Sequence, residues 1–107
     1  MVAMLTLVAL VVAAIVEVAG DAAIRRGFTG APRGWIVLGA GLLVAYGVFV
    51  NLNRTIDFSR LLGLYIVLFF VVSQLVGRVA FGEQTTPGRL LGGALIVTGG
   101  VVIQLWR

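Results

Sequence analysis

The chain contains no cysteine, no histidine and no lysine. Without cysteine there is no disulfide framework and no thiolate metal site. Without histidine the commonest metal ligand and general base are missing too. No metal and no cofactor are therefore expected. Enzyme chemistry, which needs a nucleophile beside a base, is so poorly supplied that the sequence does not read as an enzyme. Charge is scarce as well, at 11% of 107 residues. All eight basic residues are arginines, set against four acids, for a net charge of +4 and a pI of about 11.2. Such a balance raises nucleic acid as a partner, but the arginines are scattered between apolar blocks and form no basic stripe. Their positions suit interfacial and loop anchors of a membrane protein.

What is abundant is apolar surface. Hydrophobic residues make up 61% of the chain and the mean hydropathy is +1.15. A soluble domain this small exposes much of what it folds and needs far more polar surface. Four apolar runs stand out: Met1 to about Ile24, Trp35 to about Leu52, about Leu61 to Val79, and Leu90 to Trp106. Each approaches the roughly 20 residues that cross a bilayer. The segment 26–34 is a loop by its glycines and Pro32, as is 80–89, and Asn51, Asn53, Arg54 and Asp57 mark a loop between them. A cleaved signal peptide is the rival reading of the first run. It fits poorly, because no positive charge precedes the apolar stretch and Glu17 and Asp21 stand where small residues are needed.

The expectation is an all-α integral membrane protein: one domain over residues 1–107, four transmembrane helices in an up-down bundle, multi-pass in the inner (plasma) membrane. Loops one and three carry Arg25, Arg26, Arg33 and Arg89, with Arg78 nearby; the opposite side carries Arg54, Arg60 and Arg107. That near balance hardly declares an orientation and permits insertion both ways round.

Glu17 is the residue to explain. It falls about two-thirds of the way along the first run, where a charge costs at least about 2.5–3.5 kcal/mol. Such residues face a cavity or a partner and do work. Asp21 follows one turn later on the same face, with Thr6, Ala13 and Gly20 completing a small and polar stripe. Desolvation and a neighbouring carboxylate both favour the neutral form of a carboxyl group. A group so placed can exchange protons near neutral pH, and in its charged form can hold a cation. Two plainer readings stand beside this: Glu17 paired with an arginine such as Arg78, and Asp21 paired with Arg25, its i,i+4 neighbour.

With these residues on the page, the chain resembles the small multidrug resistance family, four-helix members of the drug/metabolite transporter superfamily. Glu17-Val18-Ala19-Gly20 followed by Arg25 is similar to the family's Glu-Val-x-Gly with a basic residue five positions after the glycine. Gly27-Phe28-Thr29 resembles the next loop of its drug-exporting branch, and Phe81-Gly82-Glu83 the end of its third helix. Gly92 and Gly99, within Gly92–Val101, match the heptad-spaced glycine pair of the fourth helix. The resemblance implies an antiparallel, dual-topology homodimer packed through Gly92 and Gly99, where small residues let backbones approach in lipid. It implies that Glu17 binds protons and small cationic substrates in turn. It also implies that Tyr65 stands where the drug-exporting branch has a substrate-contacting tryptophan, offering a cation–π face.

The departures are specific. Leu62 replaces a tyrosine, Val67 and Phe69 replace the glycines of the third-helix kink, and Asp21 replaces a hydroxyl residue. Asp57 lies near a usual proline, Arg60 opens the third helix, and Gln74 and Arg78 add unusual polarity to it. No tryptophan follows the glutamate motif, so the guanidinium-exporting pattern is absent. Three functions compete: a proton-coupled exporter of small organic cations acting as a homodimer or paralogue heterodimer; a flippase or flippase subunit for a lipid-linked anion, with Arg54, Arg60 and Arg78 as headgroup or ion-pair residues; and a non-transporting membrane subunit.

Overall fold

The computed structural model describes residues 4–52 and 57–106. Four helices follow one another: α1 (Met4–Phe28), α2 (Gly34–Asn51), α3 (Phe58–Phe81) and α4 (Pro87–Leu105). All four are long and apolar enough to cross a membrane. The 25 residues of α1 extend about 37 Å and fit a hydrocarbon core of about 30 Å with tilt, whereas the 18 of α2 extend about 27 Å and fall about 3 Å short, a mismatch that local thinning of the bilayer takes up. Side chains such as Leu5, Leu95 and Val79 stand exposed on the outer faces, and Val79 is 85% open. In water that surface would drive association; in a bilayer it is the surface that lipid covers.

The helix ends differ from the expected ones because caps override loop composition. Helix α1 runs past Ile24 through Arg25 and Arg26, basic residues that suit a helix C-terminus. Helix α4 starts at Pro87, not Leu90: proline takes the first position, and the Thr86 hydroxyl accepts a 3.2 Å hydrogen bond from the Arg89 N–H. Helix α3 is continuous through Val67 and Phe69 and ends at Gly82, whose φ of 65° is the left-handed cap that favours glycine. Arg54 and Arg107 lie outside the described residues.

Packing runs laterally. Helix α1 packs on α2 and α3, and α4 packs on α3 alone, giving the order α2–α1–α3–α4. The result is a slab of 46 × 36 × 19 Å. The α1–α2 contact is made by backbone: a Cβ on Gly39 would fall 2.5 Å from the Gly20 carbonyl oxygen. The α3–α4 contact uses Gly93 under Phe70 and Gly100 under Val67. At its far end the Arg60 guanidinium donates 2.9 Å to the Gln104 carbonyl, and the Gln104 amide donates 3.3 Å to the Arg60 carbonyl. A cation thereby meets a carbonyl in the last turn of α4, where the macrodipole favours it.

Candidate functional site

The site lies where the two flanks of α1 meet. Positions Gly20 and Ile24 face α2, whereas Val18, Asp21, Ala22 and Arg25 turn toward α3. Glu17 falls between these sets, near the midpoint of α1 and half-buried. That is deeper in the membrane than its place in the apolar run suggests, because the helix extends to Phe28.

Tyr65 comes from α3, which runs parallel to α1. Its hydroxyl donates a 2.8 Å hydrogen bond to Glu17 Oε1, and the residue is 3% exposed. The Tyr46 ring from α2 stacks on it, with centroids 5.4 Å apart and planes 22° from parallel. Phe69, one turn further along α3, packs beside it at 6.4 Å with its ring tilted by 30°. Below this cluster the core is Leu10, Ala13, Ala14, Val50 and Leu61. A carboxylate, two phenols and stacked aromatic rings thus converge from three helices. The set offers an anionic acceptor to a cation, and the Tyr65 hydroxyl as donor to the carboxylate itself.

Several sequence readings change here. Glu17 is not paired with Arg78, which sits in the last turn of α3 and donates 3.5 Å to the Thr85 hydroxyl. An arginine that far along α3 reaches the loop, not the middle of α1. Asp21 and Arg25 form no ion pair among the described residues; both line a cleft between α1 and α3. Tyr65 does not present an open ring face to a ligand, since it is buried at 3% exposure with Tyr46 stacked on its ring. Its contribution is the hydroxyl. Of the small stripe, Ala13 and Gly20 are buried in the helix contacts, whereas Thr6 is only half-buried. The Arg60 guanidinium donates to the Gln104 carbonyl at the end of α4. Gly92 and Gly99 touch nothing within the chain, and Gly93 and Gly100 make the α3–α4 contact instead. The matched glycine pair therefore lies on the unpartnered side of α4.

Sequence reasoning missed Tyr46. The available signal was a hydroxyl at the middle of an apolar span, which must find a partner where water is absent. It also missed the bracket at the other end of the span, where the Arg26 guanidinium lies 5.8 Å from the Trp35 ring and 5.9 Å from the Phe81 ring. That group ties α1, α2 and α3 together at the interface.

No family model matches the chain. No solved structure matches it either. Among known proteins it is similar to a multidrug transporter of Pseudomonas aeruginosa, 29% identical over 75 residues that cover 70% of this chain and 68% of that protein. It is also similar to a UPF0060 membrane protein of Frankia casuarinae, 34% identical over 104 residues that cover 95% of this chain and 94% of that one. With four membrane-spanning helices and near end-to-end similarity, this multi-pass membrane protein belongs to the UPF0060 family.

Proposed function

We propose that the chain is a proton-coupled exporter of small organic cations, in which Glu17 holds a proton and a substrate alternately. The observation that carries the reading is the Tyr65 hydroxyl, backed by the stacked Tyr46 ring, on a half-buried carboxylate near the middle of α1. A charge so placed is costly, and the usual return is transport of an ion or a proton. The Tyr65 hydroxyl lets Glu17 remain in place in either protonation state: a phenol donates to a carboxylate, and accepts from or donates to a carboxylic acid. Two features support the reading from outside the site. The chain is similar to a protein described as a multidrug transporter, and its Glu17–Gly20 and Gly92–Val101 segments resemble the small multidrug resistance pattern.

The functional unit in this reading is an antiparallel homodimer in the inner membrane, formed along the open Gly92 and Gly99 face of α4, with a paralogue as the alternative partner. A single slab about two helices thick encloses little chamber, and a second copy would complete one. The flippase reading has less support, because Arg60 is already engaged with Gln104.

The test is proton release from purified protein on adding tetraphenylphosphonium or a guanidinium compound, wild type beside Glu17→Gln. Release from the wild type alone supports the exporter. Release of equal size from Glu17→Gln would remove Glu17 from the mechanism, and no release with any cation would sink the proposal.

A further inference from the structure

A cleft of about 140 Å³ opens between α1 and α3, on the Arg25 side of Glu17. Its inner wall is Val18 and Phe69, and Phe69 packs on Tyr65, the partner of Glu17. Asp21 and Ser73 line its middle; Arg25, Gly77 and Glu83 line its outer end. The cleft thus leads from the helix ends toward the carboxylate.

Glu83 belongs to the loop after α3, and the chain places it with unusual care. Gly82 adopts the left-handed conformation, and the N–H groups of Gly82 and Glu83 both donate to the Gly77 carbonyl. The Glu83 carboxylate folds back onto Gly77 itself: a Cβ there would fall 2.5 Å from Glu83 Oε1. Gly77 is buried, so that notch exists for the carboxylate. Arg89, in the first turn of α4, then clasps it with a 3.4 Å ion pair and donates 3.2 Å to the Gln84 carbonyl.

From this geometry we infer that Glu83 gates the outer end of the α1–α3 cleft, held across its rim by Gly77 and Arg89. This deepens the exporter reading and rests on it: the cleft is the route by which a small organic cation reaches Glu17. The Arg89–Glu83 pair is solvent-exposed, with 43% and 45% of the two side chains open. Such a pair adds little stability and is screened by salt, so the gate opens at low cost. An arriving cation competes with Arg89 for the Glu83 carboxylate, and the displaced carboxylate leaves the notch. Glu83 is a positioning residue in this scheme, since it does not touch Glu17.

The absence of cysteine makes the test direct. Ser73→Cys puts a single thiol on the cleft wall, and its alkylation by a neutral maleimide is timed in nanodiscs. Glu83→Gln and Arg89→Gln, both at exposed positions, are each expected to speed alkylation about two- to five-fold, the range over which an exposed ion pair shifts an equilibrium. Raising the ionic strength should speed it in the Glu83 parent and leave Glu83→Gln unchanged. Gly77→Ala should act like Glu83→Gln by filling the notch. Unchanged or slower alkylation in both Glu83→Gln and Arg89→Gln overturns the gate, whatever Gly77→Ala does. The readout needs no cation binding, so the two ideas fail separately. Accelerated alkylation with no cation-driven proton release would leave the gate and remove the exporter. Proton release with unaltered alkylation would do the reverse.

Discussion

The Tyr65 hydroxyl, on α3, donates a 2.8 Å hydrogen bond to the Glu17 carboxylate on α1, and this ties together two helices that run parallel through the membrane. Tyr65→Phe removes the hydroxyl and keeps the ring between Tyr46 and Phe69. Hydrogen bonds inside membrane proteins average about 0.6 kcal/mol and reach about 1.7. Tyr65→Phe should therefore lower stability in detergent by an amount in that range and weaken tetraphenylphosphonium binding without abolishing it. Tyr65→Leu removes the stack as well and should cost more. A Tyr65→Phe protein equal to wild type in both respects would show the bond to be incidental.

Gly39 should tolerate nothing larger. A Cβ there meets the Gly20 carbonyl oxygen at 2.5 Å and the Ile24 backbone nitrogen at 2.9 Å, and backbone cannot step aside as a side chain can. Gly39→Ala should cost about 1–3 kcal/mol by overpacking. Gly41, with nothing within 4 Å of its Cβ position, is the control. Gly41→Ala should be neutral or stabilising by up to about 1 kcal/mol, because alanine is the better helix former. Paired thermal unfolding curves decide it.

The two glycine pairs of α4 should separate assembly from folding. Gly93→Leu and Gly100→Leu collide with Phe70 and Val67 inside the chain and should lower the unfolding temperature. Gly92→Leu and Gly99→Leu meet nothing in the chain and should leave its helices packed while lowering the dimer fraction in cross-linking or light scattering. If Gly92→Leu and Gly99→Leu dimerised as well as wild type, the proposed interface would be misplaced.

Arg60 and Gln104 should contribute two separate bonds to the α3–α4 contact. Each donates to the other's backbone carbonyl, across 44 residues of sequence. Arg60→Met leaves the Gln104 carbonyl without its charged donor and should cost about 1–3 kcal/mol. Gln104→Leu removes the other bond and leaves the carbonyl that accepts from Arg60 in place, so the two losses should add, which a double-mutant cycle measures.

The four spans, their number and their membrane setting were legible because apolar run length reports them directly. The boundaries were less so. Pro87 read as a loop residue, though after Thr86 it starts a helix; Arg25 and Arg26 read as a stop, though they close a helix C-terminus. Glu17 stood out because charge is expensive in lipid. Its partners did not, since Tyr46 and Tyr65 lie 29 and 48 residues further along the chain and only the lateral order of the helices brings them together. Gly20 and Gly39 were equally opaque: a glycine in an apolar helix has no signature that says whether a backbone or lipid lies beside it.

The lateral order also divides the molecule into two helical hairpins, α1–α2 and α3–α4, joined along a single seam. Each hairpin is locked internally, the first by Gly20 on Gly39, the second by Gly93, Gly100 and the Arg60–Gln104 exchange. Among the described residues the one side-chain hydrogen bond that crosses the seam is the one between Tyr65 and Glu17. A rigid-body slide of one hairpin against the other would leave both intact and fall on that hydrogen bond, on the Tyr46–Tyr65 stack and on the Arg26–Phe81 contact. The ionisable group is thus built into the joint, and any rocking of the protein is at once a change in what Glu17 can hold.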